Sequence, residues 1–380
     1  MRFPLFVVSF TLLYGLFHAY AFFKTKQALS LGPEASTLLG IVMLFLVFCP
    51  ILVRLIENAG LEGPARILAH VGYTWMGLLF LFVCAGLILD FYRLVVYLMQ
   101  AAVCSGFAAI TLPAKDAFLI AVFVSGAIAA YGLHAAFDIR TEQVTLKSPK
   151  IPANSGKIRI VQITDVHLGL IVREARLARI LDAVKEANPD ILVSTGDLVD
   201  GEIDNMAALA AMFQEVRPKY GKFAVTGNHE YYAGIRRALQ FTEDSGFTVL
   251  AGRGITVDTF ITMAGVDDPA GESYEGYTEI SEKKLLQGHA GQRFTVFLKH
   301  RPVVDKEAVG LFDLQLSGHV HKGQIFPFVF AVKAFFPYVS GLYDFPHGSS
   351  MYVSRGSGTW GPPIRFLSPP EVTVIDIIRE

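Results

Sequence analysis

Long apolar runs in the first 137 residues constrain this chain more than any other feature. They cover Phe3–Phe23, Leu38–Val53, Val71–Leu89 and Ala117–Phe137 and carry few or no charges. A helix that crosses a hydrocarbon core of about 30 Å needs about 20 apolar residues. Three of the runs are long enough, whereas Leu38–Val53 is short and contains Pro50. The sequence therefore predicts an all-α transmembrane region of about four helices over residues 1–137.

Two features leave the topology of this region open. Leu94–Leu112 is nearly as apolar as the predicted spans but contains Gln100, and we interpret it as an interfacial or re-entrant segment. The first 21 residues also resemble a signal peptide that ends in Ala19-Tyr20-Ala21. If Leu94–Leu112 crosses the membrane, the C-terminal part of the chain lies outside the cell.

Basic residues favour a cytoplasmic C-terminal part if there are four spans. That side then carries Arg2, Arg54, Arg66, Arg140, Lys147 and Lys150, and the opposite side carries Lys24, Lys26, Arg93 and Lys115. Basic loops tend to stay in the cytoplasm. The sequence thus predicts an integral protein of a bacterial inner (plasma) membrane with a cytoplasmic C-terminal domain, in contact with membrane lipids.

The overall composition agrees with membrane insertion. The chain is 52% hydrophobic and 18% charged, with a mean hydropathy of +0.44, which is too apolar for an ordinary soluble protein. Nucleic-acid-binding proteins usually have a concentrated basic face. The formal net charge of -1 gives no indication of such a face, so we expect no nucleic-acid partner. All the cysteines, Cys49, Cys84 and Cys104, lie in the apolar third, which excludes a disulfide scaffold for the remainder.

A different domain follows the apolar region. Residues 138–157 are polar with prolines and a glycine, typical of a short strand and a linker. Strand patterns then occupy Ile158–Thr164, Asp190–Thr195, Lys222–Thr226, Thr256–Val266, Arg293–Leu298, Leu311–Leu316, Met351–Ser354 and Val372–Ile378. Helix patterns occupy Arg173–Ala187, Asn205–Val216, Gly234–Ser245 and Glu279–Gln287. The alternation predicts one α/β domain over residues 158–380.

Several of these strands end in metal-ligating residue types. In chain order these are Asp165 and His167, Asp197, Asn228 and His229, His300, and His319 and His321. Each alone fits a capping turn, a tight turn or a satisfied histidine. Because ligands bind at the carboxyl ends of strands in open α/β sheets, the recurrence at five strand ends predicts one site.

The donor set fits a two-metal centre. Oxygen donors and imidazoles are present in greater number than one divalent ion can use, which suits two ions that share a carboxylate. Imidazole and carboxylate ligands without thiolate favour Mn, Fe or Zn. Two such ions activate a water and hold a phosphoryl group during displacement.

The spacing of these residues resembles that of the calcineurin-like metallophosphoesterases. The matching blocks are Asp165-x-His167, Gly196-Asp197-x-x-Asp200, Gly227-Asn228-His229-Glu230, His300 and Gly318-His319-x-His321. The stretches "GHVHKGQIFP" and "YVSRGSGTWGPPIRFLSPPEVTVI" resemble the membrane-associated branch, which includes proteins with N-terminal spans. The resemblance implies a two-sheet sandwich flanked by helices and a metal-dependent phosphoric ester hydrolase.

The resemblance also implies a role for each site residue. Asp165, His167 and His321 would hold one metal ion, Asn228, His300 and His319 the other, and Asp197 would bridge them. His229 would protonate or stabilise the leaving oxygen, and Asp200 would orient its ring.

Three departures or neighbours bear on this site. Gly201 stands where the protein phosphatases of this superfamily have an arginine, which argues against a phosphoprotein as the substrate. Lys299 and Arg301 flank His300, and we interpret them as solvated charges rather than phosphate ligands.

The substrate is less constrained by the sequence. Residues 325–345, "IFPFVFAVKAFFPYVSGLYDF", are apolar and aromatic around Lys333. They are equally compatible with a membrane lip that admits a lipid-linked phosphate and with a segment packed in the core. We expect a lipid-linked phosphoester or pyrophosphate as substrate. A soluble phosphodiester such as a cyclic nucleotide is the alternative, and a non-catalytic membrane sensor is a second alternative that the presence of His229 and Asp200 disfavours.

Overall fold

A computed structural model describes residues 2–103, 110–152, 156–201, 206–274, 277, 279–291 and 293–380. The chain divides into two compact units. One comprises residues 1–134 with 361–364, and the other comprises residues 135–360 with 365–380.

The first unit contains the predicted apolar helices. They are α1 (Arg2–Ala28), α2 (Pro33–Asn58), α3 (Glu62–Val103) and α4 (Ala114–Ala135). All four are long and apolar enough to cross a membrane. The prediction of an N-terminal region of apolar helices is therefore confirmed.

Helix α3 corrects the interpretation of Leu94–Leu112. The helix runs without a break through Leu94 to Val103 and has 42 residues, so it is about 63 Å long at about 1.5 Å per residue. The Tyr92 hydroxyl donates to the carbonyl of Ile110 at 2.7 Å, which brings the chain after α3 back beside it. Residues 104–109, including Cys104, lie outside the described residues. Leu94–Val103 is thus an extension of the third apolar helix and not a separate segment.

Polar side chains in the apolar unit are paired with one another. The Tyr20 hydroxyl donates to Oδ2 of Asp90 at 2.8 Å, and Lys24 forms an ion pair with the same carboxylate. Trp75 Nε1 donates to His18 Nε2 at 2.9 Å. Because an unpaired polar group is costly in an apolar environment, these pairs fix α1 against α3.

The second unit is built on two six-stranded sheets. The first has the order β1-β12-β2-β3-β4-β5, with β1 (Arg140–Lys147), β2 (Lys157–Ile163), β3 (Ile191–Ser194), β4 (Lys222–Ala224), β5 (Thr248–Val249) and β12 (Glu371–Ile378). The second has the order β10-β11-β9-β8-β7-β6, with β6 (Arg253–Val257), β7 (Ile261–Gly265), β8 (Phe294–Leu298), β9 (Leu314–Ser317), β10 (Gly341–Asp344) and β11 (Ser350–Val353). The helices are α5 (Glu174–Ala187), α6 (Ala207–Gln214), α7 (Asn228–Tyr232), α8 (Ile235–Asp244), α9 (Glu282–Gln287) and α10 (Val329–Lys333). This arrangement confirms the predicted two-sheet α/β fold.

Alternating side chains place the two sheets face to face. In β2, Ile158 and Ile160 belong to a buried cluster shared with β7, β8 and β9 of the other sheet. Val161 and Ile163 belong instead to the cluster formed with helices α5, α6 and α8. Both faces of β2 are therefore apolar, as expected for a strand covered on both sides.

Parallel pairing brings the carboxyl ends of the central strands to one edge. β2, β3 and β4 are parallel neighbours in the first sheet, and β7, β8 and β9 are parallel neighbours in the second. The site residues predicted from the sequence follow five of these strands.

Some elements differ from the sequence prediction. The single strand predicted over Thr256–Val266 is an antiparallel hairpin of β6 and β7, because Asp258 adopts a φ of 59° and turns the chain. β5, β10, α7 and α10 are short and were not predicted. The predicted helix start at Asn205 lies outside the described residues.

Candidate metal centre

Five loops at the sheet edges carry the predicted site residues. Asp165 and His167 follow β2, Asp197 follows β3, Asn228 and His229 begin α7 after β4, His300 follows β8, and His319 and His321 follow β9. Backbone hydrogen bonds tie the loops together, with His167 N–H donating to the Asp197 carbonyl at 3.0 Å. Gly318 N–H donates to the carbonyl of His300 at 2.9 Å. The structure thus brings the predicted residues of distant sequence positions together.

The backbone of these loops is strained at the candidate ligands themselves. Left-handed φ angles occur at Asp165 (52°), His167 (55°), Asp197 (50°), His319 (72°) and His321 (46°). A side-chain-bearing residue in this region costs free energy and persists where the surroundings enforce it, most often at functional sites.

Glycines allow the loops to approach one another closely. At Gly196, φ is 97° and a Cβ atom would clash with the backbone of Gly227 and the ring of His300. At Gly318, a Cβ atom would clash with the carboxylate of Asp165. These two glycines of the sequence blocks therefore serve close packing between ligand loops.

The first ligand group consists of Asp165, His167 and His321. The Nε2 atoms of His167 and His321 lie 3.1 Å apart, and Nε2 of His321 lies 3.4 Å from Oδ1 of Asp165. The Asp165 carboxylate also accepts from the N–H of His319 at 2.9 Å. All three side chains are buried, so their nitrogen and oxygen atoms face one small volume.

The second group consists of Asp197, His300 and His319. Nε2 of His300 lies 3.2 Å from Oδ2 of Asp197 and 3.2 Å from Nδ1 of His319. Nδ1 of His300 lies 2.8 Å from the carbonyl of Thr195, so it donates to that oxygen and directs Nε2 towards Asp197 and His319. Such a second contact commonly fixes a metal-ligating histidine.

Asp197 and Asn228 complete this arrangement. Asp197 lies within ligand-atom distance of His300 and His319 on one side and of His167 and His229 on the other. Asn228 is buried, and its Oδ1 atom has no hydrogen-bond partner among the described residues. A buried acceptor without a partner is costly unless it serves a ligand.

Buried carboxylates give the site a strong preference for positive charge. Burial raises the pKa of a carboxyl group, yet the pKa values of Asp165, Asp197 and Asp200 are lowered because neighbouring histidines outweigh it. Burial lowers the pKa of His319 to about 3 and of His321 to about 4, which leaves these two imidazoles neutral. Burial also acts to lower the pKa of His300, but the charges of Asp197 and Asp165 prevail and raise it to about 10. These residues fit divalent cations, with imidazole, carboxylate and amide donors facing one another.

His229 and Asp200 form a pair beside the ligand groups, and Oδ1 of Asp200 also lies 3.4 Å from Nδ1 of His167. Ring atom Nδ1 of His229 lies 2.9 Å from Oδ1 of Asp200. The backbone N–H of His229 donates to Oδ1 of Asp197 at 2.8 Å. Burial acts to lower the pKa of His229, but the charges of Asp197 and Asp200 prevail and raise it to about 9. The ring is thus a protonated imidazole at neutral pH, as a proton donor requires. Its ring also reaches the ligand group of His167 and Asp197, so its role as a proton donor instead of a ligand stays a prediction.

Glu230 supports the loops in a way that the sequence analysis did not predict. Its buried carboxylate accepts from the N–H groups of Gly227 (2.6 Å), Asp197 (3.0 Å) and Leu198 (2.7 Å). Glu230 is the third residue of α7, the position at which a glutamate commonly accepts from the backbone N–H at the helix start. This position was the signal from which its role could have been predicted.

Arg365 is a second unpredicted residue. It is 1% exposed, donates to the carbonyls of Arg355 (2.7 Å) and Gly356 (3.3 Å), and lies 3.0 Å from Nδ1 of His321. Burial lowers the pKa of Arg365 to about 9. No sequence pattern predicts that Arg365 contacts the candidate ligand His321, because 44 positions separate the two residues.

The interpretation of Lys299 and Arg301 as solvated charges is wrong. Lys299 Nζ lies 2.6 Å from Glu282, and Arg301 makes two bonds of 2.7 Å to the buried carboxylate of Asp268. Both cations are held in ion pairs, with Glu282 at the start of α9 and with Asp268 in the loop that follows β7.

The apolar segment 325–345 divides into a packed and an exposed part. Phe336 packs against the cluster of Val320, Val339, Met351 and Val353, and its ring centroid lies 5.1 Å from that of His319. Phe335 is 81% and Phe330 64% exposed. Of the two interpretations of this segment, packing against the core therefore describes Phe336 and does not describe the exposed rings of Phe330 and Phe335.

Comparisons with known proteins agree with the motif assignment. Residues 158–323 match the model of the calcineurin-like phosphoesterase family. An uncharacterized metallophosphoesterase of Aquifex aeolicus is 38% identical over 259 residues, which cover 67% of this chain and 98% of the relative. A transmembrane protein with metallophosphoesterase domain of Danio rerio is 31% identical over 270 residues, or 68% of this chain.

The match to other relatives and structures is more limited. The chain spans 62% of the length of the Danio rerio protein. The solved NAD nucleotidase of Haemophilus influenzae is 17% identical with a TM-score of 0.38, over 54% of this chain and 46% of that one. A likeness of that size says nothing about substrate. On the Aquifex aeolicus relative and the family match, the chain belongs to the calcineurin-like phosphoesterases, a family of metal-dependent phosphoester hydrolases.

Proposed function

We propose that this protein is a membrane-bound phosphoesterase that hydrolyses a phosphoester or pyrophosphate bond of a lipid-linked substrate at a centre of two divalent metal ions. The observation that carries the proposal is the position of the exposed ring of Phe335 directly next to Phe336, whose ring centroid lies 5.1 Å from that of His319. It joins the apolar segment 325–345 directly to a candidate metal ligand.

The metal-binding part of the proposal rests on the two ligand groups. Asp165, His167 and His321 would hold one ion, His300, His319 and Asn228 the other, and Asp197 would be shared. Bound divalent ions, with Mn, Fe and Zn as candidates, would activate water and offset charge on the phosphoryl oxygens.

The residues of the chain itself supply the proton to the leaving group. Because Nδ1 of His229 faces Asp200, the proton on Nε2 is the one available to a substrate. During hydrolysis the oxygen of water forms a new bond to phosphorus and the bond to the leaving oxygen breaks. The Nε2 proton of His229 then passes to that leaving oxygen.

An exposed apolar surface supports the proposal that the substrate carries a lipid. A cleft of about 620 Å³ is lined by Pro302, Val303, Phe335 and Tyr338, among others. Pro302 and Val303, on one wall of the cleft, follow His300 closely in the sequence. Phe335, on another wall, is the neighbour of Phe336. Aromatic rings beside Lys333 are typical of a segment at a membrane surface.

The location of the catalytic domain is part of the same proposal. The excess of basic residues on its side of four spans supports the cytoplasmic face of a bacterial inner membrane. Membrane lipids would then be the direct partners.

Activity against a substrate panel tests the proposal. Purified protein with Mn is offered lipid-linked phosphoesters, lipid-linked pyrophosphates and soluble bis(p-nitrophenyl) phosphate in mixed micelles. We expect kcat/KM for a lipid-linked substrate to exceed that for the soluble diester, and chelation to abolish both activities. A preference for the soluble diester would favour the alternative of a soluble phosphodiester substrate. Retained metal without any hydrolysis would favour a membrane sensor.

A further inference from the structure

Two exposed aromatic rings flank His229. The ring centroid of Tyr232 lies 5.3 Å and that of Trp360 5.9 Å from the His229 centroid, with interplanar angles of 68° and 74°. Tyr232 is 49% and Trp360 46% exposed. Since tryptophan is highly buried on average, this uncovered ring beside a proton donor requires an explanation.

Trp360 is held in place from both sides of its backbone. Its N–H donates to Oε1 of Gln324 at 2.9 Å, and Nε2 of Gln324 donates to its carbonyl at 2.9 Å. Gln324 is 8% exposed and follows the loop of His319 and His321. The loop that carries candidate ligands therefore also positions Trp360.

Tyr232 is positioned by the element that carries His229. Both residues belong to α7 (Asn228–Tyr232), where a spacing of three places them on the same helix face. The distances between the two rings and His229 are thus set by short, ordered connections, and a substrate would meet a preformed surface.

The chemistry of this surface points to a planar ligand. His229 is the group that would give a proton to the leaving oxygen, so the leaving group must lie within reach of its ring. The uncovered surface next to it is aromatic, and aromatic rings stack favourably on other flat rings. An aliphatic leaving group would gain less from the same contacts.

We propose that Tyr232 and Trp360 determine specificity for the leaving group, which carries a planar ring that packs on them. This inference rests on the proposed function, because it takes His229 as the donor to the leaving oxygen. In the reaction the bond between phosphorus and the ring-bearing oxygen breaks, and the oxygen of water forms the new bond to phosphorus. His229 gives its proton to the leaving oxygen, and the attacking water releases a proton to solvent. The products are a ring-bearing alcohol and a lipid phosphate whose apolar part lies towards Phe335.

Matched substrates test the inference by kinetics. Two lipid-linked diesters share one lipid and differ in the leaving group, which is an aryl alcohol in one and an aliphatic alcohol of equal acidity in the other. We expect Trp360→Leu and Tyr232→Leu each to raise KM for the aryl substrate about fivefold to tenfold, with KM for the aliphatic one changed less than about twofold. Tyr232→Phe keeps the aromatic ring, so this variant should keep the wild-type preference for the aryl substrate.

Tyr274→Leu is the matched control. Tyr274 is 38% exposed, and its ring packs on Tyr231 at 5.4 Å rather than on His229. This variant loses a half-exposed ring from the same domain and should keep the aryl preference. An unchanged preference in Trp360→Leu and Tyr232→Leu as well would overturn the inference.

Fluorescence tests the same surface without catalysis. The chain has two tryptophans, Trp75 in α3 and Trp360. p-Nitrophenyl phosphate should quench the wild-type protein with a saturable phase that is lost in Trp360→Phe, and a phase that persists in that variant would contradict the inference. If the protein hydrolyses none of the substrates but shows the Trp360-dependent phase, the proposed function fails and the aromatic surface stands.

Discussion

Nδ1 of His229 lies 2.9 Å from Oδ1 of Asp200, and this contact determines how the histidine can act. It occupies one ring nitrogen and leaves the other for a substrate. The carboxylates of Asp197 and Asp200 overcome the effect of burial and raise the pKa of His229 to about 9. Donation from this ring is therefore available over the neutral range and is lost as the pH rises through that value.

Asp200→Asn should move the alkaline limit of activity to lower pH. The substitution removes one of the charges that raise the pKa of His229, so the ring loses its proton earlier as pH increases. A pH profile of kcat would show this shift together with a lower maximum, about tenfold to a hundredfold below wild type. An alkaline limit that stays in place would mean that Asp200 does not act through His229.

Arg365→Met should weaken metal binding and lower stability. The variant leaves carbonyl groups of buried loops without a donor, at about 1–3 kcal/mol each, and removes the group next to Nδ1 of His321. Melting curves and titration with Mn, followed by the bound metal per protein, measure both effects.

Arg176→Met is the control for Arg365→Met. Arg176 is also buried, at 3% exposure, but donates to the Thr359 hydroxyl. It should lower the melting temperature and leave Mn affinity unchanged. Equal loss of Mn affinity in the two variants would assign Arg365 a general structural role.

Phe335→Ser and Phe336→Ser should have different effects. Phe335 is 81% exposed, so its loss should raise KM for a lipid-linked phosphate in micelles and leave a soluble diester unaffected. Phe336 is half-buried and packs against a cluster and on His319, so its loss should lower the melting temperature and reduce both activities. If Phe335→Ser changes neither substrate, the segment is not a lipid-binding surface.

Thiol labelling in intact cells should place the catalytic domain in the cytoplasm. A cysteine is introduced at Glu186, an exposed position on α5, in a variant that lacks Cys49, Cys84 and Cys104. A membrane-impermeant maleimide should label this thiol only after lysis, and rapid labelling before lysis would place the domain outside.

The sequence was sufficient for features that depend on chemical type and periodicity. Strands such as Lys157–Ile163 are marked by unbroken apolar residues, and ligands such as Asp197 follow them directly. Parallel pairing then places these strand ends at one edge. The fold class and the convergence of the ligands were therefore predictable.

Features that depend on tertiary contacts were not predictable. The hairpin at Asp258 requires a local left-handed turn, and the burial of Arg365 beneath His321 depends on the return of the chain 44 residues later. The difference between Phe335 and Phe336 depends on which ring faces His319. Apolar composition is identical for these neighbours, so only their packing separates them.

Metal content measured together with turnover tests the central claim most directly. Oδ2 of Asp197 lies 3.8 Å from Nε2 of His167 in one ligand group and 3.2 Å from Nε2 of His300 in the other, whereas His229 is assigned to proton donation. Asp197→Asn should therefore lose bound metal and hydrolysis together, and His229→Ala should retain metal near the wild-type amount with turnover reduced at least about a hundredfold. A His229→Ala protein that loses its metal, or that keeps turnover within about threefold of wild type, would contradict the account.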